Sequence, residues 1–179
     1  MSLPAAAPRN LLHERSISIR AYRRADHLLD VDATVTDVRM HDMRTADRGL
    51  IPAGEPLHQM SIRLTVDDAM AIVACAAAIE AGPHAICSSA SDNFGRLAGL
   101  TIGRGFLKAA QEKVGGAQGC THLRELLQQI ATVVFQAATA KSADSISQSD
   151  PRVINTCHAF DSSGPVVKQR WPEFYTGPK

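Results

Sequence analysis

No stretch of this chain is long and apolar enough to cross a bilayer, which takes about 20 consecutive apolar residues. The longest apolar stretch, residues 69–79, consists mostly of alanine. Residues 1–8 are rich in alanine and proline and lack the apolar core of a signal peptide. These absences predict a cytoplasmic protein without membrane contact.

The chain also lacks an excess of charge of either sign. It has 19 Lys and Arg against 18 Asp and Glu, which gives a net charge of +1. Arg15, Arg20, Arg23 and Arg24 lie close together near the start, but acidic residues interrupt them. No basic surface of the kind that binds nucleic acid is expected. The expected partner is a small-molecule substrate, and a homodimer is left open.

Several common motifs are missing. No pair of cysteines has CxxC spacing, which excludes a standard zinc ribbon or a thioredoxin-type site. There is no GxGxxG, no P-loop with its lysine and no GxSxG, so nothing indicates a nucleotide site or a serine hydrolase. The four cysteines should be reduced in the cytoplasm, where a cysteine near histidines is more often catalytic or metal-binding than cross-linked.

Hydrophobic periodicity predicts an α+β fold. Alternating residues indicate strands over 14–24, 28–38, 58–66 and 70–79. Helical spacing follows, with a helix start at Cys87, a short helix over 103–113 and a long helix after Cys120. We expect an antiparallel sheet of three to five strands with helices on one face. Residues 1–12 are predicted to be a flexible arm, and residues 13–179 a single domain whose tail forms a hairpin.

One histidine and two cysteines are candidate metal ligands. His58 begins a strand and shares its face with Ile62 and Leu64, so it should point toward the helices. Cys120 precedes the long helix, within the apolar stripe of that helix, and should point toward the sheet. Cys87 lies at another predicted helix start, where the helix dipole favours a thiolate. We predict that His58, Cys87 and Cys120 converge on one ion.

Three further residues are candidates for proton transfer. His122 lies at the margin of the same apolar stripe, Glu55 precedes a proline in the loop before His58, and His158 lies in the predicted tail hairpin. A plainer interpretation stays open for the whole set. A histidine in the core can simply bond a carbonyl group, and cysteines can pack as small hydrophobic residues.

Four sequence segments resemble the signature stretches of a bacterial family of unknown function. They are IPAGEPLH at 51–58, LAGLTIG at 97–103, GCTHLRELL at 119–127 and TCHA at 156–159. This resemblance spans nearly the whole chain and implies no activity.

A second resemblance covers residues 58–139 and rests on the order of elements. Strands, then a cysteine before a Ser/Ala-rich helix, then a cysteine opening a long helix, are similar to the NifU/IscU iron–sulfur scaffold proteins. The resemblance implies that Cys87 and Cys120 match the second and third cluster cysteines, with His58 in place of the first. Such a His/Cys/Cys set suits zinc or iron better than cluster assembly. The chaperone-binding motif of that family is missing.

Three functions follow from these residues. The first is a metal-dependent enzyme, with zinc or alternatively iron, that acts as a lyase or hydrolase on a small organic molecule, with aromatic molecules among the candidates. The second is a carrier or scaffold for a metal or an iron–sulfur cluster. The third is a metal-free enzyme or binding protein that depends on Cys120, activated by His122 or His58.

Overall fold

The computed structural model describes residues 3–139 and 151–178. Backbone contacts divide the chain into two compact units, residues 1–138 and residues 139–179. Residues 3–12 are exposed and precede the first strand without regular structure. The flexible arm over 1–12 and the single domain over 13–179 remain predictions.

The first unit is built on a four-stranded antiparallel sheet. The strands of this unit are β1 (His13–Arg23), β2 (Leu29–Arg39), β3 (Met43–Thr45), β4 (Gly49–Ile51), β5 (Pro56–Val66) and β6 (Ile72–Ala81). The sheet has the order β1-β2-β5-β6, and β3 and β4 pair with each other in a small separate hairpin. The predicted α+β class and strand number are therefore confirmed.

The core lies between one face of this sheet and two helices, α1 (Phe106–Val114) and α2 (Thr121–Thr139). Alternate residues are buried in β2 from Leu29 to Asp37 and in β5 from Met60 to Val66, because strand side chains alternate between the two faces. The buried residues of α2 recur every three or four positions, which confirms the predicted stripe. The buried set includes Val31, Val35, Met60, Ile62 and Leu64 from the strands and Leu123, Leu126, Leu127, Ile130 and Val134 from α2.

The segment predicted as a helix from Cys87 onward consists instead of two 3-10 helices, Ala85–Ala90 and Asp92–Leu97. Its serines explain the difference. Ser89 Oγ donates to the Ile86 carbonyl at 2.8 Å, and Ser91 Oγ donates to the Ser88 carbonyl at 2.6 Å. Such local bonds compete with an α-helical ladder. Cys87 therefore does not lie at the start of an α-helix.

The described part of the second unit, residues 151–178, contains 3-10 turns and one short helix, α3 (Pro165–Arg170). The predicted tail hairpin is wrong for these residues. Pro165 takes the first position of α3, where its fixed φ favours helix and its missing N–H costs nothing. Within residues 3–139 and 151–178, no helix combines the length and apolarity that a bilayer crossing needs.

A tight turn leads the chain into β5. Glu55 N–H donates to the Pro52 carbonyl at 3.2 Å, and Gly54 N–H donates to the Arg39 carbonyl at 2.9 Å. The turn thus fastens the IPAGEP segment to the end of β2. A β-bulge between Asp37 and Val38 follows, and Asp37 comes to lie opposite His58. The turn and the bulge together set the register that places His58.

Replacing Gly54 by alanine is expected to lower the free energy of unfolding by about 1 kcal/mol. Gly54 has φ +87°, a left-handed conformation that a Cβ atom strains. Urea denaturation would measure the loss. Gly103→Ala is the matched control, since Gly103 is exposed, has open space around it and lacks a positive φ. Equal stability of the two variants would show that the turn does not need glycine.

Candidate metal centre

Three polar side chains form a row across the sheet. Arg15 of β1 pairs directly with Asp37 of β2, and Asp37 pairs with His58 of β5. Asp37 is in phase with Val35, and His58 with Met60, so the row faces the helices. The row lies at the end of the apolar core, on the side where α2 begins.

Asp37 is the centre of this row. Its side chain is only 1% exposed. Arg15 holds it with two hydrogen bonds, from Nε to Oδ1 at 2.7 Å and from Nη2 to Oδ2 at 2.9 Å. These bonds from Arg15 lower the pKa of Asp37 to about 2, against the opposing effect of burial. The carboxylate is therefore ionised at neutral pH.

Arg15 also connects the sheet to α2. Its Nη1 donates to Glu125 Oε2 at 2.9 Å. One guanidinium thus contacts the buried Asp37 and the more exposed Glu125, 110 residues away from it in the chain. This bridge holds the N-terminal part of α2 over the row.

Two imidazoles face the same carboxylate oxygen. Asp37 Oδ2 lies 3.1 Å from His58 Nδ1 and 3.6 Å from His122 Nε2. The two rings lie against each other, with centroids 4.0 Å apart. One ligand atom from each of Asp37, His58 and His122 lies within 4.8 Å of the others. These three residues form a group that could hold a metal ion.

The environment of His58 favours the neutral imidazole, the form that metals bind. Its side chain is 15% exposed, and burial lowers its pKa, with a further lowering from the neighbouring His122. The interaction with Asp37 opposes this shift. A neutral imidazole keeps a lone pair for coordination, whereas a protonated one does not.

A glycine allows α2 to begin at this place. A Cβ atom on Gly119 would lie 2.2 Å from the Val114 carbonyl oxygen, so no other residue fits against the end of α1. Cys120 and His122 follow directly. The close passage of Gly119 explains why the GCTH segment delivers His122 to the rim of the sheet.

Cys120 lies beside the group of three. Its Sγ is 3.5 Å from Met60 Sδ on β5, so the thiol points toward the sheet. It is also 3.8 Å from His122 Nδ1, on the side of the ring away from Asp37. His122 thus has Asp37 at one ring nitrogen and Cys120 at the other.

The other predicted site residues lie elsewhere. Cys87 lies in the first 3-10 helix and packs against Gly82, which precedes that helix. It is not part of the group of Asp37, His58 and His122. Glu55 is exposed in the turn before β5, and His158 is exposed in the second unit. The set of His58, Cys87 and Cys120 as ligands, with Glu55 and His158 in proton transfer, remains a prediction.

Sequence reasoning missed Asp37, Arg15 and His13. His13 Nε2 lies 3.4 Å from Asp37 Oδ1, on the opposite oxygen from His58. A signal for Asp37 was available, because it follows Val31 and Val35 in the same alternation and so takes an inward position. Nothing in the sequence marks Arg15 as its partner until the pairing of β1 with β2 is known.

Comparison with known proteins gives a family but no activity. A protein-family model described as a protein of unknown function, DUF2889, matches residues 13–136, more than two thirds of the chain. The match runs from the first residue of β1 into α2 and includes Asp37, His58 and His122. No match was found among curated proteins or solved structures. The resemblance to NifU/IscU scaffold proteins is not shown by these comparisons and remains a prediction.

Proposed function

The chain belongs to the DUF2889 family, and from the geometry of its site we propose that it binds one divalent metal ion through Asp37, His58 and His122. We further propose that it is a cytoplasmic enzyme, a hydrolase or lyase, that acts on a small organic molecule. The observation that carries the proposal is the convergence of two imidazoles on one oxygen of a buried, ionised carboxylate.

The donor set fits a catalytic metal better than a structural one. Structural zinc sites use four protein ligands, commonly cysteines, whereas catalytic zinc sites keep three ligands, two histidines and a carboxylate among the known sets. Non-haem iron uses the same three residue types. We propose zinc as the ion, with iron as the alternative. Either one would leave coordination positions for water and substrate.

Arg15 is compatible with this role for Asp37. An ionised carboxylate has about four lone-pair positions, and the two hydrogen bonds from Arg15 take two of them. Partners of this kind commonly orient the ligands of a metal. Arg15 would hold the carboxylate in place while His58 and His122 supply the other two ligand atoms.

When bound, a divalent ion at such a site activates water or polarises a carbonyl group. The protein adds proton transfer at the rim. His13 is exposed and lies within 3.4 Å of Asp37, outside the group of three ligands. It is placed to exchange protons with substrate, the role predicted from sequence for Glu55 and His158.

The test of this proposal is the metal content of protein expressed without a His-tag, measured by inductively coupled plasma mass spectrometry. About one equivalent of zinc or iron per chain is expected, and less than about 0.2 equivalents after incubation with either ion would contradict the proposal. A brown chromophore after anaerobic reconstitution with iron and sulfide would favour the carrier or scaffold function instead.

A second candidate function rests on a different contact. Cys120 Sγ lies 3.8 Å from His122 Nδ1, while His122 Nε2 lies 3.6 Å from Asp37. The Cys120 thiol, the His122 imidazole and the Asp37 carboxylate are thus in contact in that order, as in cysteine-dependent enzymes. In such an enzyme His122 would take the thiol proton, and Asp37 would stabilise the resulting imidazolium.

This second candidate predicts selective alkylation of Cys120. Iodoacetamide should modify Cys120 well before Cys75, because burial raises the pKa of Cys75 to about 12. His122→Ala should slow the reaction at Cys120 by about tenfold or more. Mass spectrometry of tryptic peptides gives both rates. A rate at Cys120 that His122→Ala leaves unchanged would count against a cysteine nucleophile.

A further inference from the structure

The outer edge of β1 is open. Among residues 3–139 and 151–178, the strand paired with β1 is β2, and every residue of β1 except Ile19 is exposed. The opposite edge of the sheet is partly covered, since Ile72 of β6 exchanges two backbone hydrogen bonds of 2.8 Å with Gly99 and Leu100. An open edge of eleven residues offers backbone donors and acceptors to another strand.

β1 lacks several of the features that protect an edge strand. Edge strands avoid pairing through short length, prolines, bulges, charged side chains or charges that point inward. β1 is eleven residues long and has no proline, and its inward arginines are paired, Arg15 with Asp37 and Arg23 with Asp68. Ile17 on the helix-facing side is 38% exposed, and Tyr22 on the other side is 47% exposed. Apolar surface is therefore left uncovered on both faces of β1.

From these observations we propose that a second copy of this chain pairs antiparallel with β1, about a two-fold axis at Ile17. The two four-stranded sheets then join into one sheet of eight strands. In this register, each residue i lies opposite residue 34 − i of the second copy. Each helix-facing side chain of one copy lies opposite a helix-facing side chain of the other copy. Both hydrophobic cores therefore stay on the same side of the joined sheet.

Charge complementarity selects this register. Glu14 lies opposite Arg20 of the second copy, and the symmetry makes this ion pair twice. Leu12, which is 68% exposed, lies opposite Tyr22 of the second copy, and Ile17 lies opposite its own equivalent. Moving the register by two residues in one direction places Glu14 opposite Tyr22, and in the other direction it places Glu14 opposite Ser18. Of these three registers, the one about Ile17 gives Glu14 a partner of opposite charge.

Charge reversal tests this interface and leaves the proposed metal ligands untouched. Sedimentation equilibrium of the full chain should give a mass of twice 19.2 kDa for the native sequence. Glu14→Arg and Arg20→Glu should each weaken dimerisation by about tenfold or more, because each places two like-charged pairs across the axis. The double variant restores opposite charges and should return the affinity to within about threefold of the native value.

Three outcomes would overturn the proposal. The first is a native chain that stays monomeric at all concentrations, and the second is a dimer whose affinity neither charge reversal changes. The third is a double variant as weak as the single ones. Circular dichroism of each variant confirms that the sheet is intact, since Glu14 and Arg20 are exposed and their replacement should not unfold the chain. Metal content is read separately, so failure of the dimer would leave the metal centre unaffected.

Discussion

Replacing His58 by alanine is expected to weaken the binding of zinc by about 100-fold or more, because one of three protein ligands is lost. His122→Ala should have an effect of the same size, since both imidazoles face the same oxygen of Asp37. Competition with a chromophoric chelator, on metal-free protein without a His-tag, measures both affinities. The stoichiometry of the native chain should be one ion.

His84→Ala is the matched control for these variants. His84 also lies near a carboxylate, with its Nδ1 3.3 Å from Asp47 Oδ2, but this pair is exposed and lies outside the group of three ligands. Its replacement should leave the affinity for zinc unchanged. If His84→Ala weakened binding as much as His58→Ala, or if neither His58 nor His122 mattered, the assignment of the ligands would be wrong.

Asp37→Asn is expected to lower the free energy of unfolding of the metal-free protein by about 2 kcal/mol at neutral pH. The reason is the pKa of Asp37, which its hydrogen bonds to Arg15 lower to about 2 from the ordinary value of 3.8. A lowered pKa means that the folded state prefers the ionised carboxylate. This contribution is fully present above the unfolded-state pKa and is lost as pH falls through the folded-state pKa.

The difference in stability between native protein and Asp37→Asn should therefore shrink as the pH falls from about 5 toward 2. Urea denaturation across this range measures it. Asp32→Asn is the control, since Asp32 makes the same two-bond pair with Arg63 on the outer face of the sheet. This exposed pair should contribute less than about 1 kcal/mol. Equal losses in the two variants would show that the burial of Asp37 does not matter.

Much of the fold could be predicted from the sequence because apolar and polar residues alternate along its strands. Alternation in β1, β2 and β5 gave their positions to within about two residues. The apolar stripe of α2 was equally clear in the sequence. The structure of the segment after Cys87 could not be predicted, because its serine hydroxyls bond to nearby carbonyls and helix propensity does not reveal such bonds. Pro165 likewise begins a helix in a tail that alternation suggested was a hairpin.

The site was harder to predict because it depends on register. His58, His122 and Cys120 could be identified from their places on a strand and a helix start. Asp37 takes the next inward position after Val35 in β2, but aspartate is seldom buried, so the pattern alone does not mark it as a buried site residue. Its partner Arg15 is 22 residues away and is revealed only by strand pairing. The prediction of Cys87 as a ligand depended on a helix start that did not form.

The most direct test of the metal centre is a crystal structure of zinc-loaded protein, with anomalous scattering recorded at the zinc edge. We expect one strong peak at about 2.0–2.2 Å from a ring nitrogen of His58, a ring nitrogen of His122 and a carboxylate oxygen of Asp37. A peak bound by Cys87 and Cys120 instead, or a zinc-saturated crystal with no peak between these three residues, would contradict it.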